Sequence, residues 1–69
     1  MKMEQVYEAL KEWGEIIITT AAGTDYELHL GDTHFDFDNR LITLHTNEAQ
    51  YIIDGDAVDS ITKHYGHRG

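Results

Sequence analysis

The hydrophobic period of this chain changes once, at Gly14, and that switch constrains its fold more than any other feature. Before it, Met3, Val6, Tyr7, Leu10 and Trp13 recur at i, i+3, i+4, i+7 and i+10, one stripe of a helix over residues 3–13. Gly14 suits the left-handed position that ends a helix. From Glu15 the period is two. Glu15-Ile16-Ile17-Ile18-Thr19-Thr20 is β-branched and reads as a strand. Residues 21–25 form the turn that follows. Tyr26, Leu28 and Leu30 then alternate with Asp25, Glu27 and His29, so one side of the next strand is polar. Gly31-Asp32 marks a bend.

The segment His34 to His45 is the most regular. Two alternating runs flank Asn39-Arg40, and a two-residue loop there pairs 38 with 41, 37 with 42, 36 with 43, 35 with 44 and 34 with 45. Arginine is a poor second residue for such a turn, so a three-residue loop stands as an alternative. In the two-residue register Phe35, Phe37, Ile42 and Leu44 share the inner face. Residues 46–49 form a loop and 50–53 another strand. The segment 56–65 has two readings: a helix started by Asp56, giving an α-β4-α order, or a tight turn over 56–60 followed by a strand over 61–65. Val58, Ser60, Ile61 and Thr62 are poor helix formers and favour the strand. The expected core is Leu10, Trp13, Ile16, Ile18, Tyr26, Leu28, Leu30, Phe35, Phe37, Ile42, Leu44, Ile53, Val58 and Ile61.

Those elements make one domain over residues 1–69, with 66–69 expected to fray. At 69 residues the core is small, and the absence of cysteine removes disulfides and thiolate metal sites. The N-terminal segment lacks an apolar signal core and no run approaches membrane-spanning length, so a cytoplasmic protein without a membrane partner is expected.

Charge is the second informative feature. Eleven carboxylates but only one cation, Arg40, lie between Glu12 and Thr62, a formal charge of 1 − 11 = −10. Such a surface repels phosphates and attracts basic protein surfaces. It reads either as an ordinary solvated acidic surface or as a negative face that mimics nucleic acid.

The order of one helix and five short strands, with a turn before the last, resembles a small SH3-like barrel. The tail Ile53-Asp54-Gly55-Asp56-Ala57-Val58-Asp59-Ser60-Ile61 is similar to the second motif of the Sm-like family, and Phe35-Asp36-Phe37-Asp38-Asn39 to its first, one residue short. The resemblance implies an α+β, mainly β fold: an N-terminal helix packed on a bent antiparallel barrel of about five strands. It also implies homo-oligomeric rings formed through edge strands, with Asn39 and Gly55 near a pore that binds RNA. The family's base-holding basic residue is replaced here by Asp54, which weighs against nucleic acid as a direct partner.

Chemistry-bearing constellations are few. In the two-residue register His34 faces His45, with Asp36 on the same face, a donor set for a divalent metal. Two exposed histidines in an acidic field explain the same residues. His64 and His67 have H-x-x-H spacing beside a glycine-rich end. Asp32, His34, Asp36 and Asp38 alternate as in a calcium loop, but Phe37 and Thr43 occupy positions that need Gly and Glu. Ser60 lacks an evident base, and no nucleophile-elbow, phosphate-loop or dinucleotide motif occurs. The sequence reads as a non-enzymatic module without a cofactor. Its contact surface would be Asp25, Glu27, Asp32, Asp36, Asp38, Asp54, Asp56 and Asp59, and its partner a basic protein surface, such as that of a nucleic-acid-binding protein.

Overall fold

Helix α1 (Met3–Trp13) starts at Lys2, a residue with no side-chain acceptor to cap it. Gln5 Oε1 instead accepts from the Lys2 N–H at 3.0 Å, and Asp56, from the far end of the chain, accepts from the Met3 N–H at 3.1 Å. A tertiary carboxylate thus satisfies one of the donors that helix starts leave open, at the end where negative charge is favoured. The other end behaves as its sequence indicates. Gly14 has φ 92° and donates to the Leu10 carbonyl at 2.7 Å.

The computed structural model describes residues 1–63 and 65. After α1 come six strands: β1 (Glu15–Thr20), β2 (Asp25–His29), β3 (Thr33–Asp36), β4 (Leu41–His45), β5 (Gln50–Asp54) and β6 (Val58–Thr62). All pairings are antiparallel, in two three-stranded sheets ordered β2-β1-β6 and β3-β4-β5. The described residues form a small α+β domain, mainly β, without a closed barrel. The five expected strands are six because the chain breaks at Leu30–Asp32. There Asp32 turns back to accept from the His29 N–H at 2.9 Å, and strand pairing passes from one sheet to the other.

Met3, Val6 and Leu10 of α1 pack on Ile16, Ile18, Leu28 and Val58 of the first sheet and Ile42, Leu44 and Ile53 of the second. Trp13, Tyr26, Phe35 and Ile61 border this core half-buried. Burying one aliphatic side chain of this size stabilises by about 1.5–3 kcal/mol, so these ten residues dominate the favourable side of folding. Edge-on aromatic contacts close the flanks: Tyr7 meets Phe35 and Phe37 at 5.1 and 5.4 Å, and Tyr26 of β2 meets Tyr51 of β5 at 5.5 Å.

Two expected core residues lie outside the core. Leu30 is 56% exposed, because β2 ends at His29 and the bend removes the alternation that placed it inward. Phe37 is 37% exposed, because it opens the β3–β4 loop instead of ending a strand. The described residues of segment 56–65 do not form a helix. Gly55 and Asp56 turn the chain and β6 begins at Val58, earlier than the expected 61–65, since Val58 fills the core opposite Thr20. The expected fraying of 66–69 lies outside the described residues, as does the His64/His67 pair. Among the described residues no helix is long and apolar enough to cross a membrane.

Candidate functional site

The β3–β4 hairpin differs from both expected loops. Asp36 pairs with Leu41, Phe35 with Ile42, His34 with Thr43 and Thr33 with Leu44, leaving a four-residue loop, Phe37–Arg40. The slip is two residues, so the inward parity of Phe35, Ile42 and Leu44 survives. Asp36 drives it: its carboxylate accepts from the Asn39 backbone N–H at 3.2 Å and from Asn39 Nδ2 at 2.9 Å. These bonds hold the Asp36 pKa below the ordinary carboxylate value.

The slip removes the expected His34–His45 pair. His34 lies opposite Thr43, whereas His45 pairs with Gln50 of β5 and donates its N–H to the Asp32 carbonyl at 2.9 Å. His34, Asp36 and His45 do not form a metal-ligand group. Among the described residues the one group of three with its donor atoms all within 4.8 Å is Glu15, Glu27 and His29.

That group is built by the β1–β2 register. Glu15 lies directly opposite His29, and Glu27 shares its face two residues before it. His29 Nε2 is 3.1 Å from Glu15 Oε1 and 3.3 Å from Glu27 Oε2, while Nδ1 is 3.0 Å from Asp32 Oδ2. Asp32 is itself fixed by the His29 N–H and by the Thr33 hydroxyl, which donates at 2.7 Å. Burial opposes the charged imidazole, but the Asp32 hydrogen bond and the charges of Asp32, Glu15 and Glu27 prevail and raise the His29 pKa. Burial likewise opposes the charged Asp32, and the Thr33 and His29 bonds prevail to lower its pKa. The signal for this group was present in the sequence as alternating Glu27 and His29, but Glu15 joins them only once the length of the β1–β2 loop is known.

A second constellation ties three elements together around Arg40. Its guanidinium bonds Glu4 at 2.7 and 2.9 Å and Asp56 at 2.7 and 3.0 Å. Arg40 sits at φ 60°, a left-handed conformation costly for a side chain of its kind, and this paired fork is what holds it there. The Arg40 hydrogen bonds bring both Glu4 and Asp56 down to about 2, and the two carboxylates in turn raise Arg40 above its ordinary value. Gly55 is buried below the fork, its N–H donating to the Arg40 carbonyl at 2.8 Å. The β3–β4 and β5–β6 turns, which carry Asn39 and Gly55, therefore meet.

The remaining acidic residues divide by what they touch. Asp25 accepts from the Thr19 hydroxyl at 2.7 Å, and Asp54 accepts from the Asp56 N–H at 3.0 Å. Asp36 and Asp54 flank Leu41 in one row across β3, β4 and β5, with Asp38 in the adjoining loop. Asp59 projects from β6. Asp38, Asp54 and Asp59 are exposed, and among the described residues none of the three makes an ion pair. Arg40, Lys63 and Lys11, by contrast, are used within the fold. Arg40 serves Glu4 and Asp56, Lys63 bonds Glu12 at 2.9 Å and lowers its pKa, and Lys11 lies over the Tyr7 ring. Two open depressions, of about 420 and 580 Å³, lie on the surface of the described residues; one is lined by helix carboxylates and Lys63, the other by Lys2, Glu4, Arg40 and Asp56. No protein family, curated protein or solved structure matches the chain.

Proposed function

We propose that this protein is a non-enzymatic interaction module whose acidic surface binds a basic protein partner. The observation that carries the reading is the internal use of Arg40 and Lys63 while Asp38, Asp54 and Asp59 stay exposed outside any ion pair among the described residues. Pairing leaves the net charge at −8, and that excess is carried on exposed carboxylates such as Asp38, Asp54 and Asp59. The contact surface is centred on the end of the second sheet, where Asp36, Asp38 and Asp54 cluster beside the Arg40 fork. A partner that binds nucleic acid offers the complementary phosphate-binding surface. A Lys/Arg-rich peptide is the probe: it binds wild type, and Asp38→Asn with Asp54→Asn weakens it. Affinity also falls as salt rises from about 0.15 M to about 0.5 M, where the Debye length shortens to a few ångströms. Affinity indifferent to both changes refutes the proposal.

A second reading, an Sm-like ring, is favoured by the meeting of the two turns at Gly55 and Arg40 and by β5 and β6 lying at the outer edges of their sheets. On β5 Ile52 is 65% exposed, an apolar edge suited to pairing with a second copy. The five-strand barrel and the homo-oligomer belong to this reading. Its RNA-binding element is weakened because the Asn39 amide is held by Asp36 and Arg40 by two carboxylates. Native mass spectrometry of wild type and Ile52→Lys tests the ring, and single-stranded RNA titrated onto wild type and Asn39→Ala tests the ligand. A wild-type monomer removes the ring; no RNA binding at low salt removes the ligand.

A further inference from the structure

We propose that Glu15, Glu27 and His29 form a divalent transition-metal site, suited to Zn²⁺, with Asp32 as the residue that orients its histidine. The three donors come from adjacent strands in a paired register, so the backbone ladder holds them in place. A tetrahedral Zn²⁺ with bonds near 2.0–2.1 Å has its ligand atoms about 3.3 Å apart. The separations of 3.1 and 3.3 Å from His29 Nε2 to the two glutamate oxygens already match that spacing.

The second argument is the far side of the ring. Metal-bound histidines generally donate their other N–H to a carboxylate, which fixes the tautomer and strengthens the ligand. Asp32 sits 3.0 Å from Nδ1 and is immobilised by the His29 N–H and the Thr33 hydroxyl. This arrangement directs the Nδ1 proton to Asp32 and leaves Nε2 facing the two glutamates. The Glu15 side chain is only 9% exposed, whereas His29 and Glu27 open to solvent at 43% and 49%. An ion can enter from the Glu27 side, and a water can complete its fourth position. One imidazole nitrogen with two carboxylate oxygens is a borderline donor set that favours Zn²⁺ over Mg²⁺ or Ca²⁺, which prefer oxygen ligands.

The test is calorimetric titration of the full chain with Zn²⁺ alone, beside amide-resolved NMR of wild type in the same titration. One ion binds per chain, and the amides that shift are those of β1, β2 and the bend at Asp32. Glu27→Gln and His29→Gln, both at open positions, each weaken binding by at least about tenfold, and Asp32→Asn by about tenfold through loss of the outer carboxylate. Exchanging His64 and His67 for glutamine leaves binding unchanged. The proposal is overturned by three results: no stoichiometric binding, shifts confined to other histidines, or affinity that survives both Glu27→Gln and His29→Gln. The wild-type NMR decides the question even if a variant fails to fold.

Discussion

Replacing Gly55 with alanine puts a methyl group where this fold has no room. A Cβ built on that residue falls 2.4 Å from Met3 Sδ, 2.8 Å from Met3 Cγ and 2.9 Å from the Arg40 carbonyl oxygen. Met3 is fully buried, so its side chain has little space to retreat. The Arg40 carbonyl is backbone, and it accepts the Gly55 N–H that joins the two turns. Overpacking of this kind costs about 1–3 kcal/mol. In a domain of 60–100 residues each kcal/mol shifts Tm by about 4–8 °C, so Gly55→Ala should lower Tm by roughly 4–24 °C. Urea unfolding followed by Trp13 fluorescence and circular dichroism should give a lower midpoint with the slope m unchanged. Gly31→Ala is the control, because nothing lies within 4 Å of its added Cβ. Met3→Ala supplies a second check. Alone it costs about 2–5 kcal/mol through the cavity it leaves, but in the Gly55→Ala background it should cost at least about 1 kcal/mol less. Equal midpoints for Gly55→Ala and wild type would refute the claim that space, not backbone conformation, selects glycine here.

The Arg40 fork sets an acid dependence. Glu4 and Asp56 titrate near 2 in the fold against ordinary values of 4.5 and 3.8, so their contribution is complete above about pH 4.5 and is lost as pH falls toward 2. Arg40→Ala should lower the urea midpoint at neutral pH and flatten its decline over that acidic window; an unchanged acid profile contradicts the fork. The paired leucines test the end of β2. Leu28→Ala, at a fully buried site, should cost about 2–5 kcal/mol, whereas Leu30→Ala, at an exposed one, should stay within about 0.5 kcal/mol by the same denaturation assay. A comparable loss at both positions would mean that the strand continues through the bend.

What could be read from the residues alone follows local rules. The stripe Met3 to Trp13 and the glycine after it mark α1 to the residue, and alternation marks β1, β2, β4 and β5 to within a residue or two. Both signals depend on which side of a short segment is apolar, and solvent imposes that on any fold the segment joins. Even the slipped hairpin keeps its inner face, because a slip of two residues preserves the parity of both strands.

Register, by contrast, was decided by contacts between distant segments. The four-residue loop exists because Asp36 captures Asn39 and because Glu4 and Asp56, 36 residues before and 16 after, hold Arg40 in a left-handed conformation. The helix start depends on Asp56 in the same way, across 53 residues of chain. The proposed metal group moved from His34 and His45 to Glu15, Glu27 and His29 for this reason. A histidine's neighbours are set by cross-strand pairing, and pairing answers to loop lengths and side-chain bonds that periodicity does not contain.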